Sequence, residues 1–242
     1  MRTARRTAVL AAALAAAPLA TGAGEGAGER SIVGRSVEGR AIRAVDVGAG
    51  NAKRRLLVIG SIHGDEPAGT LVARRLLAHT PPAKTDLWVV PNLNPDGTAA
   101  HTRQNAHGVD LNRNFPWHWR RLGHRGDRYY SGPRPLSEPE SRFAYSLIRR
   151  LRPSVTIWFH QPYGAVDESG GNTRIERTFA KLTGLPLRRL PRYPGSAAEW
   201  QDHAIRGTTA FVVELPAGRI SAGAAGRYAE AVLDLTGESP TT

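Results

Sequence analysis

Three short runs of this chain are apolar on both faces of a strand, and each ends at an imidazole or a carboxylate. Leu56-Leu57-Val58-Ile59 leads through Gly60-Ser61-Ile62 to His63 and Glu66, residues 155–159 lead to His160, and residues 208–213 lead to Glu214. A strand with no polar face cannot border water, so helices must cover it on both sides. Helical stretches at residues 66–78, 174–182 and 222–235 alternate with these strands and with another at 86–90. Such alternation implies an α/β fold, a three-layer α/β/α sandwich around a mixed, largely parallel twisted sheet. In open sheets of this kind, sites form at the carboxyl ends of the strands, where residues distant in sequence meet.

The chain opens with Met1-Arg2-Thr3-Ala4-Arg5-Arg6, then an Ala-, Val- and Leu-rich run over residues 7–20. A basic head followed by about 14 apolar residues and then small ones describes an export signal, too short to span a membrane comfortably. Residues 1–22 are read as that signal, and the Gly/Ala/Glu-rich residues 23–30 as a linker. Residues 31–242 are then one catalytic domain. Arg5-Arg6 admits a twin-arginine route, but Thr7-Ala8 stand where that signal favours large apolar residues, so the general secretory route is preferred. The expected location is periplasmic, cell-wall or extracellular, with no stable membrane anchor.

A formal charge of +12 falls to about +9 without the signal, enough to favour association with an anionic cell wall. The arginines are scattered and no aromatic-basic motif organises them, which excludes nucleic acid as a partner. The chain has no cysteine, so any metal must be held by histidine and carboxylate.

Within the expected domain, residues 31–37 and 41–47 read as an opening hairpin. Pro67 falls in the first turn of the helix at 66–78, and Asn94-Pro95-Asp96-Gly97 reads as a turn. Residues 98–135 are irregular, and a loop region of that length in a compact domain is usually functional. Ser137-Glu138-Pro139-Glu140 reads as a capping box, with Ser137 as N-cap and Glu140 at the third position of a helix to about residue 151.

His63 and Glu66, three residues apart, can grip one divalent ion if a third ligand comes from elsewhere, and His160 is the natural candidate. A catalytic zinc needs that set, three protein ligands and one open position. Glu214 follows Phe211-Val212-Val213, where burial raises a carboxyl pKa toward that of a general base. In the long loop, Arg103 and Arg113 stand among amides in Arg103-Gln104-Asn105-Ala106-His107-Gly108-Val109-Asp110-Leu111-Asn112-Arg113-Asn114-Phe115-Pro116. Two guanidinium groups can bind a carboxylate and polarise a carbonyl, and Asp110 can orient a histidine ligand.

With these parts assembled, the chain resembles the zinc carboxypeptidase (carboxypeptidase A-like) family nearly end to end after the signal. The resemblance rests on Ile32-Val33-Gly34-Arg35-Ser36-Val37-Glu38-Gly39-Arg40-Ala41-Ile42, His63-Gly64-Asp65-Glu66, Asp110-Leu111-Asn112-Arg113-Asn114-Phe115 and Tyr130-Ser131-Gly132. It continues through Ser137-Glu138-Pro139-Glu140, His160 and Glu214. It implies one Zn2+ on His63, Glu66 and His160, with Arg103 polarising the scissile carbonyl and Glu214 activating water. Asn112 and Arg113 would hold the substrate's terminal carboxylate, and Tyr193 would correspond to the family's mobile tyrosine.

His63-Gly64-Asp65-Glu66, His160-Gln161-Pro162-Tyr163-Gly164 and the short chain look most like the bacterial murein peptide amidase branch. That branch cleaves the γ-D-glutamyl–diaminopimelate bond of cell-wall peptides, so the expected partner is a peptide or muropeptide with a free carboxylate. The alternatives are a general exported metallocarboxypeptidase and a catalytically inactive wall-binding module on the same scaffold. Ala197 is expected near the specificity pocket. Arg174, Arg188, Arg189 and Arg192 are unranked candidates for a second carboxylate on the substrate.

Overall fold

The computed structural model describes residues 30–48, 54–79 and 85–237. The expected signal and linker lie outside them, except for Arg30, which opens the first strand.

The hairpin β1 (Arg30–Arg35) and β2 (Ala41–Asp46) is followed by β3 (Arg54–Ile59), α1 (Ala68–Leu77) and β4 (Thr85–Val90). A short helix α2 (Pro95–Ala100) opens the long loop, which also contains a 3-10 turn (Leu111–Arg113) and ends at α3 (Pro139–Leu151). The remaining elements are β5 (Val155–His160), β6 (Tyr163–Asp167), α4 (Thr173–Thr183), β7 (Leu187–Arg188), α5 (Ala197–Ala204), β8 (Thr209–Pro216) and α6 (Ala222–Gly237).

Among the described residues the strands form one sheet in the order β1-β2-β4-β3-β5-β8-β6-β7. Its centre, β4-β3-β5-β8, is parallel, while β2 joins β4 and β6 joins β8 antiparallel. The expected mixed, largely parallel sheet is therefore observed.

Alternation along the central strands assigns each side chain to one of two cores. Leu56, Val58, Ile157, Phe159, Phe211 and Val213 pack under α1, α4 and α6. Leu57, Ile59, Trp158 and Ala210 point the other way, under α3 and α5. Most of these side chains are fully buried, so each layer contributes a hydrophobic term of about 1.5–3 kcal/mol per large side chain. Among the described residues no helix is long and apolar enough to cross a membrane.

Three local expectations are corrected. Pro67 is the N-cap of α1 rather than part of its first turn, which leaves Glu66 outside the helix. Asn94-Pro95-Asp96-Gly97 is the start of α2, with the Asn94 side chain accepting the Gly97 N–H at 2.9 Å. The capping box does not form: the N-cap of α3 is Glu138, with no side-chain cap. Glu140 instead accepts the Val37 N–H at 3.0 Å and the Asn105 amide at 3.0 Å, and Ser137 accepts the Asn114 amide at 2.9 Å. Donors from distant segments thus replace the local ones that the motif offers.

Candidate active site

The carboxyl ends of β3, β5 and β8 lie side by side, with His160 paired in register with Glu214 across β5 and β8. His63 and Glu66 come from the loop between β3 and α1, which runs close beneath α2. A Cβ at Gly64 would collide with the Gly97 carbonyl, so only glycine lets this loop approach.

His63, Glu66 and His160 meet there, buried, with one ligand atom of each within 4.8 Å of the others. The Nδ1 atoms of His63 and His160 stand 2.9 Å from Glu66 Oε1 and Oε2 respectively. Glu66 is also fixed by the Gln161 backbone N–H at 3.1 Å, while the Gln161 side chain accepts the Ala68 N–H at 3.0 Å. Burial opposes the charge on Glu66, but the two imidazoles outweigh it and hold the carboxyl well below its usual range.

His63 Nε2 lies 3.0 Å from Asp110 Oδ1. Burial lowers the His63 pKa, but the Glu66 and Asp110 carboxylates raise it more, so the net shift is upward. Asp110 is itself held down, with His63 and Arg103 outweighing its burial. A neutral imidazole has one N–H, and His63 has carboxylates at both nitrogens. With that hydrogen on Nε2, Nδ1 and Glu66 Oε1 present facing lone pairs, which a divalent cation satisfies together. Two imidazoles and a carboxylate form a zinc donor set, and the site fits one zinc ion.

Arg103 donates to Asp110 Oδ2 at 2.9 Å through Nε and to Glu66 Oε1 at 3.1 Å through Nη1. Asp110 also caps the 3-10 turn, accepting the Asn112 N–H at 3.0 Å. Asn112 accepts the Ala197 N–H at 2.9 Å. The Arg113 guanidinium is buried and donates to the Asn112 carbonyl at 2.7 Å, and it forms no ion pair among the described residues. Burial, then Arg103, lowers its pKa against the pull of Asp110.

Tyr193 covers this guanidinium at 4.3 Å, and Tyr129 at 5.5 Å. The turn that brings Tyr193 there needs Gly195, at φ +76°, where a Cβ would collide with the Arg113 carbonyl. Glu214 is buried and accepts the Tyr163 N–H at 3.5 Å. Burial raises its pKa, with Glu66 adding to the effect and His160 opposing it.

These groups line one cavity of about 360 Å³. Every expected site residue except Asp110 lines it, and Asp110 stands behind His63 and Arg103. Ala198 lines the cavity rather than Ala197, whose N–H faces Asn112, although both side chains also join the core. Of the four arginine candidates, Arg192 lines it and Arg174, Arg188 and Arg189 do not. Tyr129, Asp167 and Glu199 also line it, though no motif in the sequence marks them. Asp167 and Glu199 sit on β6 and α5, elements whose short or helix-ambiguous patterns gave no strand or helix signal.

The sequence profile of the zinc carboxypeptidase family matches residues 28–167. The murein peptide amidase A of Escherichia coli is 31% identical over 180 residues, 69% of this chain and 74% of that protein. The corresponding protein of Vibrio campbellii is 31% identical over 175 residues, 67% of this chain and 69% of that one. The crystal structure of murein-tripeptide amidase from Escherichia coli O157 superposes with a TM-score of 0.70 at 29% identity, covering 86% of this chain and 92% of that one. Carboxypeptidase A from Helicoverpa armigera shares the fold, with a TM-score of 0.73 at 19% identity over 86% of this chain and 68% of that one. The chain belongs to the zinc carboxypeptidase family and is a metallopeptidase.

Proposed function

We propose that this zinc carboxypeptidase is exported and hydrolyses the γ-D-glutamyl–diaminopimelate bond of cell-wall peptides. The observation that carries the reading is Arg113, a buried guanidinium without an ion pair beside the metal-ligand set. An unpaired buried cation is costly, and a substrate carboxylate relieves that cost. Similarity to murein peptide amidases favours a muropeptide as the donor of that carboxylate. The basic head and apolar run at residues 1–20 support export.

His63, Glu66 and His160 hold the zinc, which when bound supplies Lewis acidity to water and to the scissile carbonyl. Asn112 and Arg113 bind the terminal carboxylate, and Tyr193 packs over Arg113 at the exposed side of the clamp. Arg103, anchored on Asp110 and Glu66, keeps further N–H groups to offer the developing oxyanion. Glu214 takes a proton from the attacking water and returns it to the leaving nitrogen, a task suited to a carboxyl whose pKa burial has raised.

Comparing kcat/KM for L-Ala-γ-D-Glu-diaminopimelate and for ordinary peptides with free C-termini tests this reading. A clear preference for the muropeptide is expected. Preference for ordinary peptides would identify a general carboxypeptidase, and failure to hydrolyse either would identify an inactive binding module.

A further inference from the structure

Beyond the clamp, the cavity is lined by a charged triad. Arg192 donates through Nη1 to Asp167 Oδ2 at 2.6 Å and through Nε to Glu199 Oε1 at 2.8 Å. Its Nη2 donates to the Glu168 carbonyl. Asp167 Oδ1 accepts the Leu190 N–H at 2.9 Å. Both carboxylates are more than nine-tenths buried. Leu190, Pro191, Ala198 and Val212 line the same cavity.

We propose that Asp167, Arg192 and Glu199 form a subsite for an amino-acid zwitterion at the far end of the side chain of the residue held by Asn112 and Arg113. The inference rests on the proposed clamp and on the bond proposed to be cut.

A cavity built for an apolar side chain would not hold three ionised groups, whose desolvation is incompletely offset by their mutual attraction. Two carboxylates and one guanidinium carry a net charge of −1, which favours a guest cation. Among the described residues Arg192 Nε pairs with Glu199 Oε1, while Oε2 has His203 Nδ1 at 4.0 Å, and that nitrogen faces the Glu199 carbonyl at 2.8 Å, so Oε2 has acceptor capacity to spare. Burial raises the pKa of both Asp167 and Glu199, with Arg192 opposing the rise, so an ammonium guest would stabilise the charged forms of both.

The guest also needs an anion. A guanidinium carries five N–H groups, and three of those on Arg192 are engaged. The remaining hydrogens on Nη1 and Nη2 call for an acceptor. A lysine-like side chain would satisfy the carboxylates but oppose Arg192, and a carboxylate alone would meet Arg192 but face both acids. An ammonium and a carboxylate on one carbon satisfy all three groups.

Calorimetric titration of the zinc-loaded protein with free meso-diaminopimelate, L-lysine and L-2-aminopimelate tests the subsite without requiring hydrolysis. Meso-diaminopimelate is expected to bind about tenfold or more tighter than either of the others. Arg192→Gln should remove the preference over L-lysine, and Glu199→Gln the preference over L-2-aminopimelate. Equal affinity for the three ligands in the wild-type protein, or binding of none, would overturn the subsite whether or not the variants fold. A wild-type protein that prefers meso-diaminopimelate but leaves the muropeptide uncut would instead overturn the proposed reaction and leave the subsite standing.

Discussion

His63 Nε2 stands 3.0 Å from Asp110 Oδ1, and this contact ties the metal-ligand loop after β3 to the turn carrying Asn112 and Arg113. The same carboxylate anchors Arg103 through its other oxygen at 2.9 Å. One buried aspartate thus sets the tautomer of a ligand, the place of a guanidinium and the start of the clamp.

Asp110→Asn is therefore expected to weaken zinc binding by about 10–100-fold, the usual cost of removing a hydrogen-bond partner from a metal-bound histidine. Titration with a competing chelator measures this directly. Unchanged zinc affinity would show that His63 does not depend on Asp110.

Among the described residues the Glu214 side chain accepts the Tyr163 N–H at 3.5 Å and makes no hydrogen bond to the ligand side chains. Glu214→Gln should keep one zinc per chain and lose about 100- to 10,000-fold in kcat. Metal analysis and single-substrate kinetics on the same sample check both halves. Near-wild-type turnover would remove Glu214 from proton transfer.

Arg113→Gln should lower kcat/KM about 10–100-fold on substrates with a free terminal carboxylate, the loss expected for a charge-assisted hydrogen bond. On the same peptides with an amidated terminus it should change little. A proportional loss on both sets would assign Arg113 a general structural role.

Away from the site, Asp202 accepts the Ala210 N–H at 2.7 Å and the Ser169 hydroxyl at 3.1 Å, and burial pushes its pKa up to about 7. Its folded-state pKa exceeds the unfolded value, so the fold favours the protonated acid. Stability from this group is complete below about pH 4 and declines toward pH 7 as the unfolded chain ionises first. The slope reaches about 1.4 kcal/mol per pH unit. Melting temperature should fall between pH 5 and pH 7, and Asp202→Asn should flatten that fall. Equal slopes in the two proteins would contradict the assignment.

The fold was legible where hydrophobicity alone decides it. Strands β3, β5 and β8 are buried on both faces, and that requirement is written in Leu56-Leu57-Val58-Ile59 and its counterparts. The ligands were legible because His160 closes β5 and His63 and Glu66 follow the end of β3 in a short loop.

What the chain did not disclose depends on partners far away in sequence. Glu140 reads locally as a helix cap, yet its carboxylate serves Val37 and Asn105. Arg192 could not be ranked above Arg188 or Arg189, because only the fold brings Asp167 of β6 and Glu199 of α5 to it. Ala197 and Ala198 are neighbours of equal size, and the Asn112 side chain accepting the Ala197 N–H fixes which of them faces the cavity.

Mass spectrometry of a digested muropeptide tests whether the zinc site cuts the γ-D-glutamyl–diaminopimelate bond proposed for it. Zinc-loaded protein acting on L-Ala-γ-D-Glu-meso-diaminopimelate should release free meso-diaminopimelate and the dipeptide L-Ala-γ-D-Glu, and none of either after chelation. Cleavage between alanine and glutamate, or an intact tripeptide beside ordinary peptides that are trimmed, would contradict it.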